Sequence, residues 1–232
     1  VRFARLKMTA NSLRLTLRNA WYMVKLGIST CLSEITIAVM AITGNYVFMY
    51  YLGADGVAAY SIICYLFPVI FMVFNAMIQS AQPIISYNYG CEQIERANKV
   101  TRLALACALG FGLLITALFS GFSDTIISMF LSDSTSNAYQ YASSGLPLFA
   151  LDYVFFGINV IAIGYYSSVE RVRRAISLTV LRGILPVVFF FALPKLFGVS
   201  GIWLSVGAGD FVTTLIIVTL LLKDKSNSNG KP

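Results

Sequence analysis

Residues Gly27–Tyr51 read GISTCLSEITIAVMAITGNYVFMYY, and this stretch decides the fold class. A helix that crosses a bilayer needs roughly 20 mainly apolar residues, because the hydrocarbon layer is about 30 Å thick and each helical residue rises about 1.5 Å. The stretch meets that length and carries one charged residue, Glu34. We therefore predict a transmembrane helix with an acidic side chain inside it.

The rest of the chain repeats this pattern. Of its 232 residues, 58% are hydrophobic and only 12% are charged, which is too apolar for a water-soluble domain. We predict an all-α integral membrane bundle of six transmembrane helices, residues 25–222, between a cytoplasmic amphipathic linker (1–24) and a polar cytoplasmic tail (223–232). The five further spans are Val57–Ile78, Leu103–Phe122, Tyr141–Tyr165, Ala175–Phe197 and Ile202–Leu222.

The basic residues orient this bundle, because Lys and Arg are retained in short cytoplasmic loops. Of the 17 Lys and Arg residues, 15 fall before the first span, after the sixth, or in the loops after the second and fourth spans. The opposite loops contain Lys195 with three acids, Asp55, Asp124 and Asp133. Both termini are therefore expected to be cytoplasmic, in a multi-pass protein of a bacterial plasma membrane.

The composition also excludes several functions. The chain has no histidine, so mechanisms that need an imidazole base or a histidine metal ligand are excluded. The net charge of +7 is explained by topology, so no nucleic-acid partner is expected. We expect a protein that is not an enzyme and binds no cofactor.

Four charged residues lie in the interior of the spans, whereas Lys195 is at the outer edge of the fifth: Glu34, Asp152, Arg182 and Asp210. Placing a charged side chain in the middle of a transmembrane helix costs roughly 2.5–3.5 kcal/mol on insertion scales, so each of the four is expected to have a structural or functional role. By helical rise, Asp152 and Asp210 lie roughly 12–17 Å below the outer surface, close to the midplane. Glu34 lies roughly 11 Å from the cytoplasmic edge and approaches the same depth if its helix is tilted.

Two interpretations of these charges stay open. The acids Glu34, Asp152 and Asp210 bind a cation or share protons in a hydrated cavity. Alternatively, they form fixed salt bridges. For Arg182 we favour a structural role, in which it neutralises an acid or extends toward the cytoplasmic surface.

Residues 79–90, QSAQPIISYNYG, followed by Glu95-Arg96-Ala97, resemble the signature after the second helix of each lobe in multidrug and toxic compound extrusion (MATE) transporters. The signature positions are Gln79, Gln82, Pro83, Gly90 and Arg96. Further stretches agree with the family in order, from about residue 13 to 222: Leu26–Glu34, Ile126–Asp133, Leu146–Asp152, Leu181–Gly183, Gly198–Leu204 and Ala208–Asp210.

This resemblance implies one lobe, the C-terminal one, of a twelve-helix antiporter with an export cavity between two six-helix lobes. It implies a cation site at residues that match Glu34 and Asp152, with Na⁺ the only metal expected there. The coupling ion is Na⁺ or H⁺. The expected partners are the lipid bilayer, small amphipathic or cationic substrates, and an N-terminal six-helix lobe in the same protein or a second chain.

The predicted function is therefore secondary active efflux of drugs or amphipathic organic cations by cation- or proton-coupled antiport. Two alternatives stay open. One is a lipid-linked saccharide flippase of the same superfamily, which would favour a more cationic cavity than one intramembrane arginine provides. The other is a non-transporting membrane subunit.

Overall fold

The computed structural model describes residues 16–229 and, within them, all side chains except those of residues 25, 26, 29, 30, 33 and 224–229. This part of the chain is helical and contains no strand. Most of the predicted amphipathic linker and the end of the tail lie outside the described residues. The helices are α1 (Leu17–Gly90), α2 (Ile94–Gly121), α3 (Ser123–Ser128), α4 (Asn137–Ala150), α5 (Asp152–Ser168), α6 (Val172–Phe197) and α7 (Val199–Asn229).

The first helix, α1, is a hairpin of two membrane-crossing arms, residues 17–52 and 54–90. Its backbone leaves the helical region only at Gly53, where φ is 66° and ψ is −155°. Tyr60 stacks on Phe48 at 4.6 Å between ring centroids, although 12 residues of straight helix would separate them by about 18 Å. The chain therefore reverses at Gly53, and a positive φ favours glycine at such a turn.

The fourth predicted span is the one that the structure corrects. It is not a single helix over Tyr141–Tyr165 but a bent pair, α4 and α5, with an angle of 41° between them. Pro147 has no N–H to donate within α4, and the Thr116 hydroxyl donates to the Ala150 carbonyl at 2.7 Å. Both effects weaken the helical hydrogen bonds just before Leu151, where the bend lies.

With the two arms of α1 counted separately and the bent pair counted as one, the described helices make six crossings. Four helices are long and apolar enough to span a membrane, and the bent pair α4–α5 is a fifth candidate. The first of the four, α1, reverses at Gly53 and so crosses twice, which gives six crossings. The predicted all-α, six-span architecture is therefore confirmed. Some helices are longer than the predicted spans: α1 continues to Gly90, whereas the second span was predicted to end at Ile78. The length of a span is set by the thickness of the bilayer, but a helix can continue beyond the membrane surface.

The last two helices, α6 and α7, form a tight hairpin whose turn is Gly198, at φ 59°. A small-residue stripe on α7, Gly201, Ser205 and Gly209, faces α6. A Cβ atom on Gly201 would lie 2.4 Å from the Leu193 carbonyl oxygen, and one on Gly209 would lie 2.6 Å from Pro186 Cδ. Small residues at such a spacing let two helix backbones approach closely.

The α2–α5 crossing is equally close. A Cβ atom added to Gly112 would lie 2.8 Å from the Tyr153 carbonyl oxygen and 2.9 Å from Val154 Cα. Two residues earlier on the same helix, a Cβ atom on Gly110 would meet nothing within 4 Å. The crossing fixes the position of α5 next to the bend, and therefore the position of Asp152, the first residue of α5.

We expect Gly112→Ala to lower the free energy of unfolding by roughly 1–3 kcal/mol, because two backbones would have to separate. The matched substitution Gly110→Ala should raise it by roughly 0.5–1 kcal/mol, since alanine favours helix more than glycine does. Denaturant titration of both variants in detergent checks this. Equal effects of the two substitutions would contradict the assigned crossing.

Candidate functional site

The helix bend creates the centre of the candidate site. Asp152 is the first residue of α5, directly after the bend at Leu151, and its side chain is fully buried. The local break therefore places an acid inside the apolar bundle, at the point where the direction of the helix changes.

Two further buried charges lie beside it. Arg182 on α6 donates from Nε to both carboxylate oxygens of Asp210 on α7, at 3.1 Å and 3.3 Å. The two side chains are 8% and 1% exposed. The guanidinium carbon also lies 4.1 Å from the centre of the Phe156 ring, which adds a cation–π contact. The arginine is thus held by neighbours from two helices rather than reaching for water.

A buried amide fixes the backbone of α7 at the same level. Asn159 Nδ2 donates to the Asp210 carbonyl oxygen at 2.9 Å, and the Thr214 hydroxyl lies 2.9 Å from Asn159 Oδ1 as well as from that carbonyl. Asn159 is fully buried. These bonds join α5 to α7 and set the height of Asp210 relative to Asp152.

Asp152 faces this pair without a donor of its own. Asp210 and Arg182 lie close enough to Asp152 to act on it electrostatically. Neither Asp152 oxygen has a hydrogen-bond partner among the described residues. The group of Asp152, Arg182 and Asp210, which we call the buried triad, therefore holds two acids and one base.

Glu34 lies apart from the two aspartates. It is exposed and lines a cleft of about 80 Å³, whereas neither Asp152 nor Asp210 lines it. Arg182 lines the cleft as well and so borders both groups. The other cleft residues are Phe71, Asn75, Ile78, Gln82, Val160, Ile163, Gly164 and Ser167. The cleft can hold a small ion or a few waters between one acid, one base and neutral polar groups.

The signature residues are distributed along the second arm of α1 and the start of α2. Gln82 lines the cleft, whereas Gln79 and Pro83 are exposed. Gly90 ends α1, and Arg96 donates to Gln93 Oε1 at 2.9 Å in the following turn. Only Gln82 of the five signature residues therefore touches the candidate site.

Within residues 16–229, no three or more Asp, Glu and Cys side chains form a group that could hold a metal ion. A shared Na⁺ site at Glu34 and Asp152 stays a prediction. If a cation binds at either acid, its remaining ligands would be neutral oxygens. Asn75, Gln82 and Ser167 supply such oxygens in the cleft.

Sequence reasoning missed the neutral polar residues of the site. Asn159 follows Asp152 by seven residues, and Thr214 follows Asp210 by four, so each lies on the same helix face as its acid. That spacing was the available signal. Asn75 and Ser167 have no such marker, because their partners come from other helices.

Comparisons with known proteins agree with this geometry. The MatE family model matches residues 29–192. No curated protein matches the chain in sequence.

Solved structures of similar fold are transporters. A MOP superfamily transporter from Pyrococcus furiosus has a TM-score of 0.88 at 14% identity, covering 99% of this chain and 52% of its own. A multidrug resistance MATE family transporter of the MOP superfamily in its outward-facing conformation has a TM-score of 0.88 at 16% identity, covering 100% and 52%. An inward-facing conformation gives 0.80 at 15% identity, covering 97% and 52%. The chain thus spans about half the length of the structures it matches.

We expect Arg182→Gln to lower the free energy of unfolding by roughly 3–5 kcal/mol, because it leaves buried carboxylates without a cation. Asp210→Asn in the same chain should recover part of this loss, with an interaction energy of up to about 3 kcal/mol. A double-mutant cycle by denaturant titration in detergent measures it, and Lys195→Gln, at an exposed base, is the control. Strictly additive effects would show that the pair is not energetically coupled.

Proposed function

The chain belongs to the MatE family, and from that premise we propose that it supplies the C-terminal lobe of an ion-coupled efflux transporter for amphipathic organic cations. Family and fold support a membrane transporter of the MOP superfamily. Drug efflux by antiport is the finer proposal. The observation that carries it is the charge imbalance of the buried triad.

The imbalance matters because buried charge must be neutralised. With both acids ionised, the triad has one uncompensated negative charge on carboxyl groups that are fully buried. A proton on Asp152, or a monovalent cation beside it, removes that charge. Fully paired salt bridges would offer no such change, so the unpaired acid is the feature that suits ion coupling.

Coupling follows if the two orientations of a transporter differ in affinity for that ion. An ion can shift a conformational equilibrium only by as much as its affinities for the two states differ. Asp152 lies directly after the α4–α5 bend, and Arg182 joins the triad to the cleft that contains Glu34. We infer that loading the acids favours one bend geometry, and that substrate release is linked to it.

The proposed site residues are Glu34, Asp152 and Asp210 for the cation or proton, with Arg182 as the structural counter-charge. The coupling ion is Na⁺ or H⁺. Gln82 would contribute to the same cleft. The proposed partner is a second six-helix lobe, from the same protein or another chain, because alternating access requires two units that close against each other.

Substitution of the two acids tests the site. We expect Glu34→Gln and Asp152→Asn each to reduce ion-driven efflux roughly 5- to 150-fold in a two-lobe protein, the range of typical coupling energies. Membrane insertion should be unchanged, and Asp55→Asn, at an exposed acid of the Gly53 turn, is the matched control. Normal transport in both variants would refute the assignment.

The activity itself is tested by dye efflux from cells that express this chain alone or with a six-helix partner lobe. Sodium and proton gradients are imposed separately. We expect efflux only when both lobes are present and only under the gradient of the coupling ion. Absence of efflux from a correctly inserted two-lobe protein under both gradients would contradict the antiport proposal.

A lipid-linked saccharide flippase is the second candidate: Arg182 gives the cleft one base that could contact an anionic headgroup, although a flippase would favour a more cationic cavity. The P. furiosus relative is described as having a binding pocket of reverse polarity that suggests a different function. A flippase would move a labelled lipid-linked saccharide across the membrane of vesicles that contain the two-lobe protein. Efflux of dyes would not accompany it.

A further inference from the structure

A second cavity lies outside the buried triad and its cleft, at the start of α2. It has a volume of about 520 Å³ and is lined by Glu95, Arg96, Asn98, Lys99 and Arg102. Small-molecule sites in proteins typically measure roughly 300–1,000 Å³, so this cavity can hold a ligand of that class. Among the described residues that line it, three bases against one acid give a net positive charge.

The polar groups of the wall are mainly hydrogen-bond donors. Arg96 is positioned by Gln93 Oε1, which accepts from one guanidinium nitrogen at 2.9 Å. The Tyr165 hydroxyl donates to Asn98 Oδ1 at 3.4 Å, so the amide N–H groups of Asn98 stay available as donors. Guanidinium, ammonium and amide donors around one cavity suit an anionic oxygen group such as phosphate.

The cavity continues into an exposed apolar stripe on the same helix. Lys99 is followed at helical spacing by Leu103 and then by Leu113 and Leu114, which are 65%, 54% and 55% exposed. The opposite face of α2 packs into the bundle through small residues: Ala97, Thr101, Ala104, Ala108 and Gly112. One exposed face of α2 therefore presents bases first and bare leucines after them.

The boundary between the two parts coincides with the edge of the hydrocarbon layer. Arg102 is the last charged residue of α2, and residues 103–121 contain no charge. By the distribution of bases, this end of α2 faces the cytoplasm. Lipid phosphates lie at the level where the apolar run begins, and basic pockets beside cytoplasmic helix ends bind anionic headgroups.

We propose that this cavity binds the phosphate of an anionic glycerophospholipid, whose acyl chains lie along the exposed leucines of α2. The exposed leucines favour a lipid over a free anion, because acyl chains can pack against them whereas a free anion has no apolar part. Arg96, Lys99 and Arg102 contact the phosphate, and Asn98 donates a neutral hydrogen bond. Glu95 sets a limit on the net charge and so on the affinity.

The test is a lipid titration of the full chain in detergent, followed by native mass spectrometry. Phosphatidylglycerol and phosphatidylcholine with identical acyl chains are compared, since both have the phosphate but only the first has a net charge. The test variant carries Arg96→Gln, Lys99→Gln and Arg102→Gln. The matched control carries Arg18→Gln, Arg173→Gln and Lys223→Gln, three exposed bases outside the cavity.

We expect the unaltered chain to hold phosphatidylglycerol more tightly than phosphatidylcholine. The test variant should bind phosphatidylglycerol at least about tenfold more weakly, because each base near a lipid surface contributes roughly a factor of five. The control should change the affinity less than about twofold. All six positions are exposed, so both variants should fold, and denaturant titration verifies it.

Three results would overturn the proposal. One is equal binding of the two lipids by the unaltered chain. Another is an equal loss of phosphatidylglycerol affinity in the test and control variants, which would show that the effect depends on the net charge of the protein and not on the cavity. The third is displacement of phosphatidylglycerol by excess inorganic phosphate with no effect of Leu103→Asn, which would identify a soluble anion site. None of these readouts depends on transport, so they are independent of the efflux proposal.

Discussion

The interior of this lobe depends on the ion pair between Arg182 and Asp210. In a low-dielectric interior an isolated charge is too costly to keep, and a pair is tolerated only with good geometry and further hydrogen bonds. Here Arg182 Nε contacts both carboxylate oxygens, and the guanidinium lies on the Phe156 ring. Asp152, the third charge, lies beside this satisfied pair and has no hydrogen-bond partner of its own among the described residues.

Much of the fold could be predicted from the sequence, because the length of an apolar run can be compared directly with the thickness of the bilayer. The turn at Gly53 and the six crossings were predictable from apolar length and breakers. The bend at Leu151 was not, because Pro147 indicates only a weakened helix and the other cause is a hydrogen bond from Thr116 on another helix. Hydropathy also gave no reason to extend α1 to Gly90, since residues 79–90 are too polar to mark a membrane span.

The site was predictable in its charged residues but not in how they are grouped. Rarity of charge in apolar spans identified Asp152, Arg182 and Asp210, and their proximity follows from comparable depth on neighbouring helices. The choice of partner for Arg182 needed the structure, because either aspartate was within reach. The separate position of Glu34 also needed it, since helical rise fixes depth but not the direction in which a side chain points. Asn159 completes the site through a backbone contact that no residue pattern specifies.

The tight α6–α7 hairpin has a consequence for how the chain enters the membrane. Its turn at Gly198 and its small-residue stripe depend only on neighbouring segments, so the hairpin can assemble before the rest of the bundle. Arg182 and Asp210 belong to this one unit and can therefore enter the bilayer as a neutral dipole, which avoids the cost of inserting each charge separately. Asp152 arrives on a different helix with no such companion. The cost of inserting Asp152 is therefore not offset by an ion pair within its own hairpin.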